Sequence, residues 1–289
     1  MFGECHAHIF MDGIDYRAAV RTHRDAPCEP VIRAHLKEYQ MRGITYVRDG
    51  GDKYGASTLA RKLAPEYGIT YRTPVFGIHK NGQYGKIVGY GFSDMREYHD
   101  LVKQAISQGA DFIKIMTTGL MDFDDHGAVT GEPLSWEEVR EMVHIAHEEG
   151  MAVMSHTNGK VGATIAAEAG VDSLEHGNFL DEETVRILAQ SGTVWVPTAV
   201  TVRNLVGDGR FPDETLRPIC ACTEKALRAA RRFGASVALG SDAGAYCVPH
   251  GQGLVDEYHA FQKIFGAGEA LDDWLRAGER RIQEIFQRR

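Results

Sequence analysis

No stretch of this 289-residue chain approaches the ~20 consecutive apolar residues that a membrane-spanning helix needs. No basic run or basic amphipathic helix is present either, and the formal net charge is −8. A balance of that sign argues against nucleic acid or an anionic membrane surface as a partner. Cysteine is sparse: Cys5, Cys28, Cys220, Cys222 and Cys247 make an odd number without the spacing of a disulfide framework. The pair Cys220-Ala-Cys222 lacks the usual Cys-x-x-Cys redox spacing and sits in a helical context. The N-terminus has no charged segment followed by an apolar stretch, so no signal peptide is expected. These absences together lead to the expectation of a reduced, cytoplasmic protein with a small-molecule substrate, for which a homo-oligomeric state stays open.

What is present is a pattern of junctions. A helix-like segment ends in glycine and an apolar strand begins at once, at Gly43, Gly68, Gly109, Gly150, Gly170, Gly192 and Gly234. Glycine just past a helix end is the expected left-handed cap. The segments before these glycines carry helical stripes. Val139, Met142, Val143 and Ala146 form one, opened by Ser135 with Glu138 in a capping box. Asp181 opens another, with Val185, Leu188 and Ala189 on one face. Seven junctions plus an opening strand around Phe2 to His8 predict eight strands alternating with helices, hence parallel pairing. Eight such units close a TIM (β/α)8 barrel, and the length suits a single domain over residues 1–289. From Gly251 onward two further helices complete the outer ring and reach residue 289. A doubly wound open sheet is the alternative, but the first strand runs into His-Ile-Phe-Met-Asp-Gly, which cannot serve as a dinucleotide turn.

His6 and His8 are separated by one residue, so on an extended strand they point the same way and can grip one metal ion. Lys114 lies five residues after its glycine, His156 and His176 six, and Asp242 eight. Catalytic groups of such barrels stand at the C-terminal ends of the strands. All six residues should therefore meet at one rim, and four imidazoles, a carboxylate and a lysine there predict a metal site. Lys114 is the informative member. Within Ala110-Asp-Phe-Ile-Lys-Ile-Met-Thr-Thr-Gly119 a buried ammonium is costly, so it must be paired, neutral or modified. Beside two cations a neutral amine could take up carbon dioxide and bridge them as a carbamate.

The segments GECHAHIF, ITYVRDGG, GADFIKIMTTG, VMSHTNG, VDSLEHGNF, VWVPT and LGSDAG, spread over nearly the whole chain, resemble the amidohydrolase superfamily, with dipeptidase- and prolidase-like and imidazolonepropionase-like members nearest in phrasing. The resemblance implies that His6, His8 and Asp242 hold the more buried metal and that His156 and His176 hold the second. It also implies that Lys114 bridges both as a carbamate and that Asp242 shuttles the proton. Two divalent ions, zinc foremost, suit such ligands. The expected reaction is hydrolysis of a C–N amide bond in an N-acyl amino acid or dipeptide-like substrate, attacked by a hydroxide bridging the metals. Alternatives are a lactone or ester hydrolase, a one-metal deaminase, or a metal-binding barrel without turnover.

Asp49 and Glu175 are candidates to orient the imidazoles, although strand alternation leaves open that Glu175 faces away. The segment from Gly77 to Gly85 is expected to be a polar, flexible loop over the site, with His79 or Tyr84 reaching a substrate carbonyl. Arg203 is a candidate to bind a carboxylate, and Leu120 to Pro133, around His126, a candidate lid. Most superfamily members carry an accessory β-sandwich made from segments flanking the barrel. With the first strand at residue 2, none is expected here.

Overall fold

The computed structural model describes residues 1–287; residues 288 and 289, which the expected domain and final helix include, lie outside them. The chain runs through strand β1 (Glu4–Ala7), helices α1 (Tyr16–His23) and α2 (Glu29–Met41), β2 (Tyr46–Asp49) and α3 (Ala56–Leu63). After a 3-10 turn (Ala64–Tyr67) come β3 (Thr70–Arg72), β4 (Gly77–Lys80), β5 (Gly89–Phe92), α4 (Met95–Ser107) and β6 (Ile113–Met116). Then follow α5 (Trp136–Glu148), β7 (Val153–Thr157), α6 (Lys160–Ala169), β8 (Ser173–His176), α7 (Glu182–Ser191) and β9 (Val194–Val196). Helices α8 (Val200–Arg203), α9 (Asp213–Phe233), α10 (Gln252–Phe265) and α11 (Glu269–Ile285) complete the chain.

The junction glycines behave as their positions require. All seven have φ between 67° and 89°, a region that side chains avoid. Ser135 and Glu138 form the capping box of α5, and its stripe of Val139, Met142, Val143 and Ala146 is buried. Burying one Val or Met side chain contributes roughly 1.5–3 kcal/mol, so this face seats the helix on the sheet. Asp181 caps α7 by accepting from Thr184 N, with Val185 and Leu188 buried.

The strand ladders are all parallel and form two arcs, β1-β2-β3 and β5-β4-β6-β7-β8-β9. Hydrogen bonds join the arcs at both seams. Asp111 N donates to Thr73 O at 2.9 Å, and Thr73 N returns a bond to the Asp111 carboxylate at 2.9 Å. At the other seam residues 236–243 run between β9 and β1. There Ala238 N donates to Trp195 O at 3.0 Å, Cys5 N to Leu239 O at 3.0 Å and His8 N to Ala243 O at 2.8 Å. The ring is a (β/α)8 barrel in which the third stave is split into β3 and β4 and the eighth is reduced to isolated bridges.

One departure from the sequence reading follows. The segment expected to be a flexible loop begins as strand β4, with Gly77, Ile78 and His79 buried. It pairs with β5 so tightly that a Cβ on Gly89 would lie 1.6 Å from Gly77 O. Neither strand follows a helix-ending glycine, which is why the junction pattern passes over them. Among the described residues, no helix is long and apolar enough to cross a membrane.

Candidate metal centre

β1 carries His6, wholly buried, and the chain delivers His8 two residues later, 7% exposed. The same alternation that hides Ala7 in the wall turns both imidazoles inward. His8 is also closely overlaid by Gly50, where a Cβ would lie 2.3 Å from His8 Cε1. Any side chain there would push the imidazole aside. The neighbouring strands supply the rest: Lys114 on β6, His156 on β7 and His176 at the end of β8, all buried. Ring centroids lie 5.4 Å apart for His6 and His8, 4.9 Å for His6 and His176, and 4.6 Å for His156 and His176. Asp242 N donates to His6 O at 2.8 Å, and the Asp242 carboxylate stands 3.6 Å from His6 Nε2 and 3.7 Å from His8 Nε2. The six residues that the sequence pointed to are thus brought to one end of the barrel.

The backbone is strained where these groups are presented. His176 and Asp242 adopt φ values of 68° and 59°, and Thr198, which supports His176, adopts 47°. Non-glycine residues hold such values only when the surroundings over-determine them. For Asp242 the surroundings include Glu4, a buried carboxylate that accepts from Ser241 N at 2.7 Å and from the Ser241 hydroxyl.

Three imidazoles have one ring nitrogen engaged, which leaves the other available to donate. His6 Nδ1 meets Glu175 Oε2 at 2.6 Å. His176 Nδ1 meets the Thr198 hydroxyl at 2.8 Å, and His156 Nε2 meets Gly119 O at 3.1 Å. Fixing one nitrogen in this way sets the tautomer and orientation of a metal-binding imidazole. Glu175 therefore faces inward, resolving the open alternative in favour of an orienting role. Asp49 touches no imidazole; its carboxylate accepts from Ile9 N at 2.8 Å and Gly51 N at 2.6 Å, holding the backbone on either side of His8.

Several buried atoms here have no hydrogen-bond partner, among them His6 Nε2, Lys114 Nζ and Asp242 Oδ1. A buried polar group left unpaired costs roughly 1–3 kcal/mol, and more when charged. Ligand atoms of His6, His8 and Asp242 lie within 4.8 Å of one another. Imidazole nitrogens and a carboxylate at that spacing are the donor set of a divalent transition metal. The residues present fit such an ion.

Burial dominates the electrostatics. It pushes His8 and His156 down to about 3 and carries His6 and His176 well below the usual imidazole range, with Lys114 adding to the effect in each case. Each imidazole is thereby favoured in its neutral form, the form whose nitrogen can donate to a metal. Burial also lowers Lys114 to about 8, opposed by Glu175 and Asp242, and raises Asp242 to about 7, opposed by Lys114.

The expected substrate contacts fare differently. Tyr84 lies against the centre, its ring 4.8 Å from that of His156, and burial with the nearby Asp242 charge raises its phenol. His79 is buried in β4, with Nδ1 bonded to Lys80 O at 3.0 Å. Arg203 is not at the centre: it ends α8 and lines a groove with Arg217, Glu224, Asp256, His259 and Lys263 on the outer helices. The sequence reading had placed it after a strand, whereas a helical turn carries it outward. The lid candidate is held rather than free. Met121 bridges Val129, Phe123 stacks on Phe211 at 4.3 Å and His126 meets Phe179 edge-on at 5.0 Å. Thr198 and Arg48 were not singled out by sequence, although both lie inside the quoted segments VWVPT and ITYVRDGG.

Comparison with known proteins bears on the fold and the family. An uncharacterized protein of Mycobacterium tuberculosis is 33% identical over 136 residues, covering 45% of this chain and 36% of its own length. Ochratoxinase of Aspergillus niger is 30% identical over 154 residues, covering 51% and 32%. The matched stretch thus spans about a third of these curated relatives. In structure, the A. niger ochratoxinase superposes with a TM-score of 0.76 at 20% identity, covering 100% of this chain and 73% of that one. A prolidase solved with N-methylphosphonate-L-proline gives 0.75 at 21% identity, covering 99% and 74%. The Amidohydrolase family model matches residues 2–276. That match takes in nearly the whole chain, every ligand candidate included, and the chain belongs to the amidohydrolase family, a family of hydrolases that generally use divalent metals.

Proposed function

We propose that this chain is a two-metal hydrolase that cleaves a C–N amide bond in a small N-acyl amino acid or dipeptide-like substrate. The observation that carries this reading is the convergence of six donor residues on one pole of the barrel, with buried His6 Nε2, Lys114 Nζ and Asp242 Oδ1 lacking any other partner. His6, His8 and Asp242 would hold one ion and His156 and His176 the other. Lys114 would join them once its amine nitrogen bonds to the carbon of carbon dioxide and sheds a proton, leaving a carbamate anion. When bound, two zinc or similar ions supply Lewis acidity that activates water near neutral pH and polarises a carbonyl.

The remaining work falls to the chain. Asp242, set in place through Glu4 and Ser241, takes the proton of the attacking water and returns it to the departing nitrogen. Glu175, Thr198 and the Gly119 carbonyl keep the imidazoles aimed. Tyr84, held in its neutral form by burial, can donate its hydroxyl proton to the substrate carbonyl oxygen. That prolidase and ochratoxinase share the fold supports an amide as the scissile group.

A one-metal enzyme is the second reading. It is favoured by the one three-ligand group found among the described residues, His6, His8 and Asp242, whose donor atoms lie within 4.8 Å of one another. Metal content per chain decides between the two, measured on protein prepared with zinc and bicarbonate and assayed against N-acyl amino acids and dipeptides. Two equivalents, reduced together with turnover in Lys114→Ala, are expected. One equivalent that is indifferent to Lys114→Ala would remove the carbamate bridge.

A further inference from the structure

Beneath the centre, the barrel interior holds a polar layer where branched apolar side chains usually pack. Arg48, on β2, is wholly buried and reaches across to β8. Its Nε donates to Cys5 O at 2.7 Å and its Nη1 to the Ser173 hydroxyl at 2.8 Å. Its Nη2 meets Glu175 Oε1 at 2.9 Å and Oε2 at 3.1 Å. The guanidinium rests on a floor of aromatic rings, 4.3 Å from the centroid of Phe286 and 5.9 Å from that of Phe112. A buried ion pair of this kind adds little net stability, and well-packed apolar residues often serve as well or better. Stability alone therefore does not account for it. What distinguishes the layer is where it leads: the Glu175 oxygen that accepts from Arg48 at 3.1 Å also holds His6 Nδ1. His156 and His176 end on neutral partners, so among the hydrogen-bonded imidazoles the guanidinium backs His6 alone.

We propose that Arg48 is a positioning residue that, through Glu175, secures the metal position built by His6, His8 and Asp242 and leaves that of His156 and His176 untouched. Arg48 fixes the carboxylate in space by pairing with both of its oxygens. The carboxylate fixes the ring of His6 and strengthens its Nε2 as a donor. The proposal rests on the two-metal reading above. It separates from a merely structural role because charge and fold can be uncoupled. Arg48→Met leaves the buried Glu175 carboxylate without its cation, which destabilises the fold. Adding Glu175→Gln removes that lone charge but also the anionic hold on His6.

The experiment measures zinc affinity and equivalents per chain by competition with a chromophoric chelator, beside thermal unfolding of metal-free protein. The chains compared are wild type, Arg48→Met/Glu175→Gln, Arg48→Lys and His8→Ala, the last marking which equivalent belongs to His6 and His8. The double variant is expected to unfold near the wild-type temperature yet bind the His8-dependent zinc about 10- to 100-fold more weakly, with the other equivalent unchanged. Arg48→Lys, which keeps a cation, should recover part of the affinity. Recovery of both stability and full affinity in the double variant would overturn the proposal, as would equal weakening of both equivalents. A wild-type chain that binds one zinc sinks the two-metal reading alone. The Arg48 proposal then stands or falls on whether the double variant weakens the zinc that His8→Ala removes.

Discussion

His6 leans on a carboxylate that leans in turn on a buried guanidinium, whereas His156 and His176 lean on a backbone carbonyl and a threonine hydroxyl. One half of the candidate centre is backed by charge and the other by neutral dipoles. The charged half also includes Asp242, whose carboxylate approaches His6 and His8. The neutral half faces Tyr84. A ligand with an anionic backer is a stronger and more rigid donor than one with a neutral backer. If two ions bind as proposed, the one at His6 and His8 should be the more tightly held and the one at His156 and His176 the more exchangeable.

The largest effect that tests this contrast lies in the charged half. Asp242→Asn keeps the shape and loses the proton acceptor, so turnover should fall by about 10²–10⁴ while most metal stays bound. Unaltered turnover would take Asp242 out of the chemistry and leave it as a ligand only.

In the neutral half, Thr198→Val is nearly isosteric and deletes the hydroxyl that holds His176 Nδ1. About a tenfold loss of affinity is expected, confined to the equivalent that survives in His8→Ala. Loss of the tighter equivalent instead would reverse the comparison.

A smaller, pH-dependent effect lies one step further back. Glu257 accepts from Ala199 N at 3.0 Å and Val200 N at 2.9 Å, just beyond Thr198. Burial raises this carboxyl from 4.5 to about 8, opposed by those two backbone donors. The folded chain thus holds the proton more tightly than the unfolded one. The stability this contributes is full below pH 4.5 and is lost as pH rises through about 8. Glu257→Gln, which cannot titrate, should gain in melting temperature relative to wild type across that window in metal-free protein. Parallel melting curves against pH would show that the support of the neutral half does not titrate.

How much of this was legible follows from which interactions are local. The helix-glycine-strand junctions depend on a few adjacent residues, so Gly43 through Gly234 could be read directly, as could the Ser135–Glu138 box and the Asp181 cap. The site was legible for a related reason. In a barrel, a fixed distance from each strand start leads to the same rim, so five to eight residues past each glycine located Lys114, His156, His176 and Asp242 without coordinates. β4 and β5 escaped because no helix precedes either, and their pairing depends on Gly89 meeting Gly77 across the sheet. Arg203 misled because a short helix, α8, follows the seventh stave and turns the residue outward.

The sequence alone determined the barrel class and the six residues of the candidate centre, because period-two strands and capped helices are written in neighbouring residues. Tertiary structure decided everything that joins distant segments. It turned Glu175 inward, set Thr198 behind His176 and closed the ring through residues 236–243. It also carried Arg48 across the interior to a carboxylate 127 residues away. A buried charge is tolerable only beside its partner, and that partner is chosen by the curvature of the closed sheet, which no local pattern encodes.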